Sequence, residues 1–193
     1  MTTLISLLIC LWFSPSNVES LTFQIVYKNR EIGEMTVQKQ VVGKRKIYTN
    51  TTTVRARLIG KIEVQYRSKT VFEDGILKEA SVVSLLNGDE YDNTETRKVG
   101  NDYQFYKEGK FKHSLEGPIT YSAMQMYFEE PTGISKAYSE EAGSYHTIQS
   151  NENEKYSKVN SRGRTNYYFY RDQYLNKIEV DAGIFEIDMV RNN

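Results

Sequence analysis

The 193-residue chain has little of what staples, kinks or charges a protein: one Cys, one Trp, three Pro and two His. A lone Cys excludes a disulfide framework, because a bridge needs a pair. Prolines stand only at Pro15, Pro118 and Pro131, so no proline-rich hinge divides the chain. Charge of one sign is missing too. The 25 Lys+Arg balance 25 Asp+Glu, which removes the general electrostatic case for nucleic acid, where a basic excess must displace counterions from phosphates. The G-x-S-x-G, P-loop and G-x-G-x-x-G signatures do not occur. His113 and His146 sit in no metal-ligand spacing and read as surface residues, so neither a metal nor a cofactor is expected.

Apolar runs are short as well. Leu4 to Phe13 (LISLLICLWF) is a charge-free stretch of ten residues followed by Ser14, Pro15 and a polar SNVES. As a helix it would be about 15 Å long, half of a ~30 Å hydrocarbon layer, so it reads as the core of a signal peptide rather than a membrane anchor. Val18 and Ser20 supply the small residues expected before a cut after Ser20. Cys10 does not read as a lipidation site, because Ile9 precedes it and the apolar run continues beyond it. The expected organisation is a signal peptide over 1–20 and a single domain over 21–193, located in the periplasm and not transmembrane once cleaved. Cleavage would remove both the only Cys and the only Trp.

What is present is tyrosine, 15 residues of it, and a sequence period of two. Phe23, Ile25 and Tyr27 alternate with Gln24 and Lys28; Ile62, Val64 and Tyr66 alternate with Glu63, Gln65 and Arg67. Such alternation marks strands with one packed and one wet face. Turn signals fall between them at Glu31–Gly33, Gly43-Lys44, Asp74-Gly75, Asn87-Gly88, Gly100-Asn101, Glu108-Gly109, Arg162-Gly163, Arg171-Asp172 and Ala182-Gly183. The expected fold is mainly β: an antiparallel meander of about ten or eleven strands forming a strongly curved sheet or open barrel, since curling removes exposed edges.

The segment between Pro118 and Pro131 breaks this rhythm. Tyr121, Met124, Tyr127 and Phe128 recur at helical spacing, Thr120 is a candidate cap, and Pro131 disfavours helix at Glu130. One short helix over about 120–129 is therefore expected on the concave side of the sheet. Its apolar face, Tyr121, Met124, Tyr127 and Phe128, is the candidate binding surface for a lipid or other apolar ligand. The alternative for the same residues is that they only complete the core.

Other constellations are weaker. Glu129-Glu130 and Glu140-Glu141 flank residues 132–138, and paired carboxylates are glycosidase apparatus, but neighbouring strand residues face opposite ways. Lys44, Arg45, Lys46, Arg55, Arg57, Lys61, Arg67 and Lys69 fall on strands that should pair and form either a basic stripe for anionic headgroups or a solvated face. Asn50-Thr51-Thr52 matches the glycosylation pattern, which matters only in a eukaryotic secretory pathway. A transmembrane barrel shares the alternation and the leader, but Thr49, Thr51, Thr53 and Arg55 on one face make poor lipid contacts.

Several stretches together resemble a family of small exported proteins, mostly from Bacteroidetes, classified as a domain of unknown function. They are Phe23, Val26 and Tyr27, then Ile32–Val37, Phe72–Gly75 with Leu77, Asn87-Gly88, Ile119–Ser122, Tyr127–Pro131 and Asn166–Tyr170. The chain is also distantly similar to the half-open barrels that carry lipoproteins across the periplasm. That likeness implies fold and leaves function open.

The reading is an exported, non-catalytic periplasmic protein that binds a lipid or other apolar ligand in a half-barrel. The alternative is an envelope structural or interaction protein, with a barrel filled by side chains and a protein partner held at a sheet edge. An enzyme acting through Glu129, Glu130, Glu140, Glu141 or His146 ranks third.

Overall fold

In the computed structural model, residues 17–57, 61–181, 183 and 186–192 are described. The Leu4–Phe13 run expected to be a signal-peptide core, with Cys10 and Trp12, lies outside them. Among the described residues, fourteen strands form one antiparallel sheet. They are β1 (Asn17–Tyr27), β2 (Arg30–Val42), β3 (Arg45–Arg57), β4 (Lys61–Glu73), β5 (Ile76–Leu86), β6 (Asp89–Val99), β7 (Asp102–Lys107) and β8 (Lys110–Leu115). After a long connection come β9 (Lys136–Ser139), β10 (Ser144–Ser150), β11 (Lys155–Val159), β12 (Thr165–Arg171), β13 (Tyr174–Asp181) and β14 (Glu186–Arg191). The meander runs outward from the middle. β1 pairs with both β2 and β14, and the sheet's edges are β8 and β9.

The strand count exceeds the expected ten or eleven because several reversals carry none of the usual turn dipeptides. Lys28-Asn29 and Asn153-Glu154 have φ between +47° and +61° without a glycine. Another, at 140–143, separates β9 from β10. The expected turn at Glu31–Gly33 is displaced: the chain reverses at Lys28-Asn29, and Gly33 lies inside β2 opposite Ile25 and Val54. Its glycine serves close approach. A Cβ there would lie 2.1 Å from the Thr53 carbonyl oxygen and 2.8 Å from the Val54 Cα. Gly33→Ala is expected to cost about 1–3 kcal/mol through forced backbone displacement; denaturant unfolding of the variant measures it, and an unchanged midpoint would refute the close-approach account.

The alternation expected for β1–β4 is observed. Leu21, Phe23, Ile25, Met35, Val37 and Tyr48 point into the core, while Thr51, Arg67 and Lys69 point outward. The inner face also carries hydroxyls and amides that hydropathy would assign to solvent: Asn50, Thr52, Ser68, Thr70, Ser84, Thr94 and Thr96 are all buried. Because Asn50 is buried, its glycosylation pattern is idle. The basic stripe is opposed across strands, with Arg55 bound to Glu63 at 3.0 Å, Lys69 to Glu79 at 3.1 Å and Lys44 to Asp74 at 2.9 Å.

The expected helix over 120–129 is absent. Residues 116–135 form an irregular plug across the concave face, with a single 3-10 turn at Gln125–Tyr127. The reason lies in where its backbone groups go. The Ile119 carbonyl accepts from the Leu77 N–H at 2.9 Å, the Tyr121 carbonyl from the Tyr138 N–H at 3.0 Å, and the Ala123 N–H donates to the Tyr138 carbonyl at 2.8 Å. These bonds to the sheet replace the i to i+4 ladder. They also cover the β9 edge, where Ser122 forms a parallel bridge to Tyr138. A surface helix buries one stripe. Here Ile119, Met124 and Met126 are all buried, so the segment is enclosed rather than laid on a surface. Tyrosines pin it: Tyr170 Oη donates to the Met126 carbonyl at 2.6 Å, and Tyr103 Oη accepts from the Ile119 N–H at 3.3 Å.

The seam between the two edges is bridged by side chains instead of a ladder. His113 Nε2 lies 2.8 Å from the Gly143 carbonyl and its ring rests against Phe105. Gly143, at φ +63°, abuts the Phe105 ring so closely that a Cβ would overlap it at 2.3 Å. The sheet is thus a rolled, unclosed barrel whose second edge folds inward.

Candidate functional site

Beneath the plug lies a cavity of about 360 Å³. Its lining mixes apolar side chains, among them Met35, Val64, Met124, Tyr127, Ile178, Val180 and Met189, with polar ones, among them Asn50, Thr52, Tyr66, Glu140, Glu141, Lys158, Asn166 and Tyr168. Its size falls within the ~300–1,000 Å³ range of small-molecule sites. Larger grooves lie on the outer face of the sheet, as along Glu34, Thr36, Thr49, Thr51 and Arg55. Those are open polar surface, whereas the interior cavity gathers buried ionisable groups.

Each polar group arrives from a different part of the fold. Glu140 lies in the turn after β9, which tucks against the inner face of β4–β6. Its carboxylate Oε1 accepts from Thr70 Oγ1 at 3.2 Å and from the Met124 N–H at 3.4 Å, and its carbonyl accepts from Thr94 Oγ1 at 2.9 Å. Burial raises its carboxyl above the usual range, against the opposing pull of Ser122, of its own and the Met124 backbone N–H, and of Lys158. Lys158 sits mid-strand in β11, opposite Ile148 and Asn166, so all three share the inward face. Burial disfavours its charge, but Tyr168, Glu140 and Glu141 outweigh that and its ammonium is raised above the ordinary lysine value. The phenols of Tyr66 and Tyr127 are pushed far up by burial and remain hydroxyl donors.

Of the four expected ligand residues, Met124 and Tyr127 line this cavity. Tyr121 and Phe128 do not lie among its lining residues. Tyr121 Oη donates to the Glu129 carbonyl at 3.3 Å, and Phe128 stacks on Tyr48 with centroids 5.8 Å apart. Met124 lies in the core, and Tyr121, Tyr127 and Phe128 are partly buried against it. The acidic pairs also separate. Glu129 meets Lys46 at 3.6 Å and Glu130 accepts from Tyr156 Oη at 2.7 Å, whereas buried Glu140 and exposed Glu141 both reach the cavity. The argument that neighbours face opposite ways fails for the latter pair because they occupy a turn. Among the described residues, no cluster of three His, Cys, Asp or Glu could hold a metal ion.

A family model described as a domain of unknown function, DUF6134, matches residues 23–192. The chain belongs to this family. The match takes in all fourteen strands apart from the first six residues of β1, so the rolled sheet, plug and cavity all fall within the family domain. No curated protein matches the chain. Among solved structures, the chain is similar to the β-barrel-like protein of the domain of unknown function DUF1849 from Brucella abortus. The TM-score is 0.63 over 90% of this chain and 95% of the other, at 8% identity. At that identity the likeness is one of fold.

Lys158 and Tyr168 are the site residues that the alternation argument missed. A charged residue in phase with Tyr156 in the run Lys155–Val159 was the available signal. It is ambiguous, since Tyr156 and Ser157, on opposite faces, are both buried.

Proposed function

We propose that this family member is an exported, non-catalytic binding protein that holds an apolar or acyl-bearing ligand inside its rolled sheet. The supporting observation is the interior cavity: about 360 Å³ at the heart of the barrel, walled by Met35, Met124, Ile178, Val180 and Met189. A binder fits the polar groups better than an enzyme does. Glu140 is engaged by Thr70 and Met124, and Lys158 is held as an ammonium rather than a nucleophilic amine. Export to the periplasm rests on the Leu4–Phe13 run. A cut after Ser20 leaves the core intact, because Leu21 is the first buried residue of β1 and Asn17, Val18 and Ser20 are exposed.

Native mass spectrometry of protein purified from the cells that make it tests this reading. The expected result is a discrete added mass that extracts into organic solvent. A bare polypeptide mass, with no uptake of added decanol, overturns it. The second reading, an envelope interaction protein, is favoured by one feature. β8 is a sheet edge whose residues Lys110–Ser114 are exposed, Phe111 by 54%, a template for a partner strand.

A further inference from the structure

The polar groups that line the cavity are satisfied unequally. Lys158 is engaged by the Tyr168 side chain and by the carboxylates Glu140 and Glu141. An anion entering the cavity would give up its hydration and meet those carboxylates as like charge, and a cation would compete with Lys158 for them. The guest that suits such a cavity is uncharged.

Asn50 stands differently. It is 5% exposed, and it lines the cavity together with Met35 and Thr52. Thr52 Oγ1 donates to its Oδ1 at 2.7 Å, which fixes the amide with its oxygen towards Thr52 and its nitrogen towards Met35. Nδ2 then donates to the Met35 sulfur at 3.4 Å. A thioether is a weak acceptor, so a buried amide donor rests on a partner that a better acceptor can replace. Ser68 Oγ likewise donates to the Met124 sulfur at 3.4 Å, but Asn50 is among the lining residues and Ser68 is not. Met35, Met124 and Met189 all line the cavity, and their unbranched chains repack readily around a guest.

We propose that the cavity takes an uncharged acyl ester, its carbonyl oxygen accepting from Asn50 Nδ2 in place of the Met35 sulfur and its hydrocarbon packed on Met35, Met124 and Met189. This rests on the reading of the cavity as an apolar-ligand site. Exchanging a sulfur acceptor for a carbonyl oxygen strengthens the bond to Asn50, and transfer of the hydrocarbon out of water adds to it. A neutral thioether of the same length gains only the second contribution. A carboxylate brings a charge that Glu140 and Glu141 oppose.

Isothermal titration of the full chain, freed of bound lipid, with methyl octanoate, methyl octyl sulfide and octanoate at pH 7.5 tests the assignment. Methyl octanoate is expected to bind about fivefold tighter than the sulfide and roughly tenfold or more tighter than octanoate. The infrared carbonyl band of the bound ester should lie at lower wavenumber than in heptane, as a hydrogen-bonded carbonyl does. Asn50→Leu is expected to bring the ester down to the affinity of the sulfide and to return the band to its heptane position. Equal binding of ester and sulfide by the unaltered protein, or an unshifted band, overturns the carbonyl assignment and leaves the apolar-ligand reading standing. Octanoate binding as tightly as the ester overturns the selection for an uncharged guest. A preference that persists in Asn50→Leu overturns the role of Asn50. Failure of all three probes to bind overturns both readings. The titrations and the band of the unaltered chain decide the ester assignment even if Asn50→Leu does not fold.

Discussion

Replacing Glu140 by Ala is expected to destabilise the protein by roughly 3 kcal/mol, whereas Glu140→Gln should stay within about 1 kcal/mol of the parent. The contrast follows from what the side chain does. Its Oε1 is the acceptor for two buried donors, Thr70 Oγ1 and the Met124 N–H, which tie β4 and the plug to the turn after β9. Alanine leaves both donors unsatisfied and opens a void. Glutamine keeps an acceptor oxygen in place and removes a charge that burial already disfavours. For a domain of this size the Ala variant should melt about 6–12 °C lower. The pH dependence carries a sign. Because the folded carboxyl is raised, its contribution is fully present below the unfolded carboxylate value and is lost as pH rises through the folded one. Glu140→Gln should therefore gain on the parent as pH rises. If Gln proves as damaging as Ala at pH 7.5, the ionised carboxylate itself is required and its pairing with Lys158 becomes the governing interaction.

Acidification should destabilise the folded chain through His146, by about 2 kcal/mol between pH 7.5 and 5. His146 is half-buried on β10, its Nδ1 has no partner among the described residues, and burial together with Lys158 pushes its pKa down to about 4. A depressed histidine is neutral when folded and charged when unfolded. Stability is thus complete above the unfolded value of about 6.5 and falls as pH drops towards the folded one. Glu140 works in the opposite direction. Urea unfolding at pH 7.5 and 5 for the parent and for His146→Gln isolates the effect. The Gln variant should lose most of the pH difference, and an undiminished difference would assign it to other groups. The expectation from sequence that this histidine lies on the surface is corrected by the same facts: His146 shares its face of β10 with buried Ile148 and lies opposite buried Ala137 of β9.

The sequence was legible wherever one residue decided one local geometry. The two-residue alternation of β1 to β4 reports which face of a strand loses water, and the glycines at 43, 75, 88, 100 and 109 hold the positive φ of the turns between strands. Reversals through Lys28-Asn29 and Asn153-Glu154 escaped because side-chain residues there adopt the same φ, held by the strands on either side. The segment 118–131 misled for a related reason. Helical spacing of Tyr121, Met124, Tyr127 and Phe128 is a local signal, and backbone bonds to Leu77 and Tyr138, distant in sequence, outweighed it.

By itself, then, the sequence determined an all-β meander, the direction in which its apolar side chains point, and the segment that would close its concave side. Those follow from contacts between neighbours in the chain and from the cost of leaving apolar faces in water. The tertiary structure decided what occupies the interior. Thr70 and Thr94 became buried partners of the Glu140 turn 46 to 70 residues away, and Lys158 became a cavity wall residue. A hydroxyl or an ammonium on an alternating strand is wet or buried according to what folds over it, and no local pattern encodes that.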